Sequence, residues 1–120
     1  MTALLFLAFQ VATASLSYDQ AKVLADSHEA SLGPSAKNAL TKAQGDVLGD
    51  AFEICGSRAE SPIKPFTVVV HVNGSGATDQ TWLQGDTSLA QCVQKELSKA
   101  RLPAAGGQPF YASYEFSFVP

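Results

Sequence analysis

A chain of 120 residues has room for one ordinary domain with a single modest core, so one fold must carry whatever the protein does. With 46% hydrophobic and 16% charged residues it is far from the composition that keeps a chain disordered. Eight Lys and Arg stand against eleven Asp and Glu, a net charge of −3 that supplies no basic field for collecting phosphates, which argues against nucleic-acid binding.

The opening stretch MTALLFLAFQVATA carries no charge, is apolar from Ala3 to Ala12 and ends in the small-x-small pattern Ala12-Thr13-Ala14. It reads as an export signal cleaved after Ala14, leaving residues 15–120 as a single mature domain. The run stops short of the roughly 20 apolar residues that a membrane span needs, so no stable membrane insertion is expected after cleavage. No Lys or Arg precedes the run, and a buried N-terminal element of a cytosolic protein is the competing reading. The two cysteines, Cys55 and Cys92, are too far apart for a CxxC redox or zinc unit. In an oxidising compartment they pair most simply with each other; two separately buried thiols are the alternative.

Tyr18 to Ala30 has a short helical pattern, with Ala21, Leu24, Ala25 and His28 on one stripe and Asp19 placed to cap it. Gly33-Pro34 stops it, and Ser35 can cap a second, alanine-rich helix reaching Cys55. Its apolar stripe runs through Ala36, Ala39, Leu40, Ala43, Val47, Ala51 and Ile54. Gly45 and Gly49 weaken this helix and mark a bend or a close approach; two helices joined near Gly45 fit the pattern as well. The prolines of Ser61-Pro62-Ile63-Lys64-Pro65 make an extended link.

A strand follows, with Phe66, Val68, Val70 and Val72 on one face and Thr67, Val69 and His71 on the other. Asn73-Gly74-Ser75-Gly76 is a hairpin turn, and residues 77–84 form an antiparallel partner. Thr87 or Ser88 caps a third helix, Ser88 with Gln91 in a capping-box pattern, whose buried stripe is Leu89, Cys92, Val93, Leu97 and Ala100. Pro103 and Gly106-Gly107 end it. From Phe110 to Val119 a last strand alternates: Phe110, Ala112, Tyr114, Phe116 and Phe118 face one way, and Tyr111, Ser113, Glu115 and Ser117 the other. The fold class is therefore α+β, two helices followed by ββαβ. A right-handed strand-helix-strand crossover joins the second and third strands in parallel and leaves a slot for the first. The predicted order is 2-1-3, with the helices over one face and the third strand as an exposed edge.

The residues Cys55, Thr67 to Gly76 (TVVVHVNGSG), Gly85 to Pro103 (GDTSLAQCVQKELSKARLP), Ala105-Gly106-Gly107 and Tyr114 to Phe118 resemble the C-terminal domain of TonB-type energy transducers. The closest likeness is to variants with one Cys before the first strand and another inside the helix. The resemblance implies a TonB-like ββαβ core over 66–119, a periplasmic setting, a Cys55–Cys92 bridge, and a third strand that takes up an extended peptide by β-augmentation. Such a transducer also has a full-length membrane anchor, a long Pro-rich spacer and a Tyr-Pro motif before the first strand. Here stand a short signal-like segment, two helices and Pro65-Phe66, so only the binding module carries over.

For catalysis the chain offers two histidines, His28 and His71, without a supporting local motif, and no metal-binding spacing; neither an enzyme nor a cofactor is expected. The Asn73-Gly74-Ser75 sequon matters only in a eukaryotic secretory pathway. Trp82 and Leu83 point to opposite faces, which leaves one of them outside the main core unless the N-terminal helices cover it. The expected function is that of a periplasmic or secreted protein-binding module using Tyr111, Ser113, Glu115 and Ser117 along the third-strand edge, with Trp82. The alternative is a small secreted inhibitor or toxin-neutralising protein acting through residues 73–76 or 104–108.

Overall fold

A computed structural model describes residues 16–118; the expected export signal and its cleavage site lie outside the described residues. Helix α1 (Tyr18–Ser31) and helix α2 (Pro34–Cys55) are followed by a 3-10 turn, Gly56–Arg58. Strand β1 (Phe66–Val72), strand β2 (Thr78–Gln84), helix α3 (Ser88–Leu97) and strand β3 (Phe110–Phe116) complete the chain. The sheet order is β2-β1-β3, and β1 pairs antiparallel with both neighbours, as the crossover argument requires.

Local chemistry moves several boundaries from their expected places. Ser17, not Asp19, caps α1: its hydroxyl accepts from the backbone N–H of Gln20, whose side chain answers the Ser17 N–H in a capping box. Asp19 falls inside the first turn. Gly33, not Ser35, precedes α2, because Pro34 fits the first helical position, where its missing N–H costs nothing. Helix α2 runs unbroken through Gly45 and Gly49, and a Cβ added at either would meet nothing within 4 Å. No close approach explains them. Thr87 caps α3 through the Ala90 N–H, so the Ser88–Gln91 box does not form, and α3 ends at Leu97, well before Pro103. Strand β3 ends at Phe116, leaving Ser117 and Phe118 beyond it.

The inner face of the sheet carries Phe66, Val68, Val70 and Val72 from β1, flanked by Phe110, Ala112, Tyr114 and Phe116 from β3. Over it lie Leu89, Val93 and Leu97 of α3 and Leu40, Ala51 and Cys55 of α2, and Leu83 packs against the same cluster. Cys55 and Cys92 form a disulfide, Cα atoms 5.8 Å apart, that ties the end of α2 to α3. The helices are expected over one face, and α2 and α3 form that layer. Helix α1 takes the other face, where Val69 is fully buried with Ala21 and Ala25 and partly buried Tyr18, Trp82 and Tyr111 surround them. A fully apolar Val69 in an otherwise polar row needs such a cover. Alanines four residues apart let the helix come close to the strands, whereas Leu24, expected on the same stripe, is 41% exposed.

The hairpin turn is held by one side chain. Asn73 Oδ1 accepts from Ser75 N, Ser75 Oγ and Ala77 N, the Asx geometry that makes Asn a turn residue. This turn packs on the loop after α3: Leu102 N donates to Gly76 O, and Arg101 Nη2 to Ser75 O. A Cβ on Gly74 would sit 2.5 Å from the Gly107 carbonyl oxygen, so only glycine allows this approach. Residues 73–76 and 104–108 thus form one end of the molecule together.

Candidate partner-binding site at the third-strand edge

Among the described residues, strand β3 has a strand neighbour on one side only. What flanks it otherwise follows from five contacts. Lys22 of α1 lies 3.3 Å from Glu115, and His28, near the end of the same helix, stacks on Phe110 with ring centroids 4.8 Å apart. Helix α1 therefore runs antiparallel to β3. Leu40 of α2 lines a cleft with Phe110, Gln44 Nε2 donates to the Ser113 carbonyl oxygen at 3.1 Å, and Phe52 meets Phe116 edge to face. Helix α2 therefore runs parallel to β3, and the Leu32-Gly33 connection lies at the Phe110 end. The two helices straddle β3, one on each face, like the arms of a clasp.

Within the clasp the expected binding residues separate. Tyr111, Ser113 and Glu115 share the outer face, opposite His71, Val69 and Thr67 of β1. Tyr111 and Ser113 are half-buried and Glu115 is exposed. Ser117 lies past the end of β3 and is not part of the edge. Trp82, half-buried beside Val69, donates from Nε1 to the Leu16 carbonyl oxygen, so it is covered by the start of α1 and does not stand as an open anchor. The hydroxyl of Ser113 is buried with no hydrogen-bond partner among the described residues.

The electrostatics of the edge centre on Lys22, whose ammonium lies 2.6 Å from Asp26 as well as beside Glu115. Burial works against its charge, and the hydrogen bonds and negative charges of Asp26 and Glu115 outweigh burial, so its pKa rises above the ordinary 10.5. On the inner face, burial pushes the Tyr114 phenol well above its ordinary value of 10.0.

His71 Nδ1 lies 2.6 Å from Asp79 Oδ1, with the ring 4.7 Å from that of Tyr111. This pair stands near the hairpin end; among the described residues no group of three or more His, Cys, Asp or Glu is placed to hold a metal ion. No described helix is long and apolar enough to cross a membrane. Sequence reasoning missed Gln44, Lys22 and the clasp. Gln44 and Ser113 are far apart in the chain, and the signals for an outer cover were Val69 among polar neighbours and Trp82 on the face opposite Leu83. Compared with known proteins, the chain matches no family model, no curated protein and no solved structure.

Proposed function

We propose that this chain is an exported binding module, periplasmic or secreted, that holds an extended segment of a protein partner against β3. The observation that carries the reading is the position of β3 at the end of the sheet, with one strand partner and an outward carbonyl at Ser113 met by a single side-chain amide. An unpaired strand edge is a template for strand addition. The Cys55–Cys92 bridge fits an oxidising compartment. The TonB-like resemblance points to the same edge, and the reading assigns no catalytic step.

The test is photo-crosslinking in the native host, with a photo-reactive residue at position 115 on β3, at Gln84 on the opposite edge, or at Gln108 in the loop pair. Adducts to a discrete protein from position 115, and none from 84, support the reading. Absence of adducts at 115 rejects it. Adducts from 108 alone favour an inhibitor acting through the joined 73–76 and 104–108 loops, a reading supported by the contact of Gly74 with Gly107.

A further inference from the structure

The helices that straddle β3 do not hold it equally. Helix α2 is anchored through Leu40, Ala51 and Cys55 in the main core and by the disulfide to α3. Helix α1 buries only Ala21 and Ala25 completely, while its larger apolar residues Val23 and Leu24 stay 63% and 41% exposed. Its other ties include the Lys22–Glu115 ion pair, the Trp82 indole on the Leu16 carbonyl, the His28 ring on Phe110 and a partly buried Tyr18, none of them as deep as the α2 anchors. Closing α1 over the sheet also carries a standing cost, because Ser113 lies on the face that α1 covers and its hydroxyl is buried there without a partner.

We propose that α1 is a displaceable gate over the β3 edge, and that Gln44 occupies the Ser113 carbonyl as a stand-in for the N–H of an incoming strand. With α1 down, a strand laid along β3 meets a helix on each side and a carbonyl already taken. With α1 lifted, Val69, Trp82 and Tyr111 are uncovered, Ser113 Oγ regains water, and the Gln44 amide can exchange places with a backbone donor. The clasp is closed at the Phe110 end by the α1–α2 connection, so a partner strand enters from the Glu115 end. The ligand for this gate rests on the reading of β3 as the binding edge; the opening itself is a property of the chain alone.

The experiment is hydrogen exchange of the full chain, free of partner, read segment by segment. Local opening of α1 requires its amides to exchange far faster than those of β1 and α3, by about a hundredfold or more. Ser113→Ala removes the unmet hydroxyl and should slow α1 about tenfold, while the gap between α1 and β1 persists. Gln44→Ala should leave α1 open at least as often as in the parent chain. The fluorescence of Trp82, the sole tryptophan, should shift red in step with α1 exchange as its indole loses the Leu16 carbonyl. Exchange of α1 and β1 at a common rate would overturn the gate, as would α1 exchange left unchanged by Ser113→Ala. Crosslinking failure at position 115 with fast α1 exchange would remove the proposed function and leave the gate standing.

Discussion

On its inner face the sheet meets Leu89, Val93 and Leu97 of α3 together with Leu40 and Ala51 of α2, whereas on its outer face it meets two buried alanines of α1 and a partly buried Tyr18. A fully buried Leu or Val contributes about 1.5–3 kcal/mol and a buried methyl about 0.8 kcal/mol. The inner layer therefore sets the stability of the domain, and the outer layer is a cover of low intrinsic strength. The disulfide lies wholly on the inner side, where it closes a loop spanning a sequence separation of 37. Replacing both Cys55 and Cys92 by Ser should lower global stability by about 4 kcal/mol at most, read from denaturant unfolding with and without reductant. If reduction released α1 and left the rest intact, the division of labour between the faces would be wrong.

Tyr114 gives a second way to probe the inner face. Its phenol is neutral and buried when folded, with a raised pKa, so the unfolded chain ionises first as pH rises. The stabilising contribution is complete below pH 10.0 and is lost above it, at about 1.4 kcal/mol per pH unit until the folded phenol also titrates. Stability measured between pH 9 and 12 should show this slope, and Tyr114→Phe should abolish it. A smaller effect of opposite sign is expected at Gly45 and Gly49, which α2 tolerates with open space at both positions. Gly49→Ala should stabilise the domain by about 1 kcal/mol in thermal or denaturant unfolding, since only the helical entropy cost of glycine is removed. A loss of stability there would mean that α2 needs the glycine.

The sequence made the inner face readable and the outer one obscure, for a physical reason. Strands declare themselves by alternation, and Phe66 to Val72 and Phe110 to Phe116 were legible residue by residue. The crossover rule then fixed their order. Caps were less legible, because Ser17 and Asp19, or Gly33 and Ser35, satisfy the same local rules and only the geometry of the first turn chooses between them. The placement of α1 was illegible from its own residues: Ala21 and Ala25 are too small to mark a face, and Leu24, the residue that would mark one, is turned toward solvent. Val69, Trp82 and Tyr111 hold the information instead, spread over three strands. The edge position of β3 was readable from topology, but the Gln44 contact that meets it depends on how far α2 leans over the sheet.

The smallest effect falls on the outer face and separates local from global stability most sharply. Lys22 is charged between Asp26 and Glu115, whose side chains are 54% and 61% exposed, so the ion pairs are largely solvated and worth about 0.2–1 kcal/mol each. Lys22→Ala should therefore move the global unfolding free energy by only about 0.5 kcal/mol. The same loss should speed the local exchange of α1 by about two- to threefold. Salt should mimic the substitution in the parent chain, since the screening length falls from about 10 Å at 0.1 M to about 3 Å at 1 M. The raised Lys22 pKa fixes the sign with pH: its contribution is present below 10.5 and is lost as pH rises through the higher folded value, so α1 should open more readily there. A Tyr114→Phe background keeps the inner-face titration out of that measurement. Exchange of α1 at the same absolute rate as the core, in the parent chain and in Lys22→Ala alike, would mean that α1 folds and unfolds with the core, and the contrast between the two faces would fall.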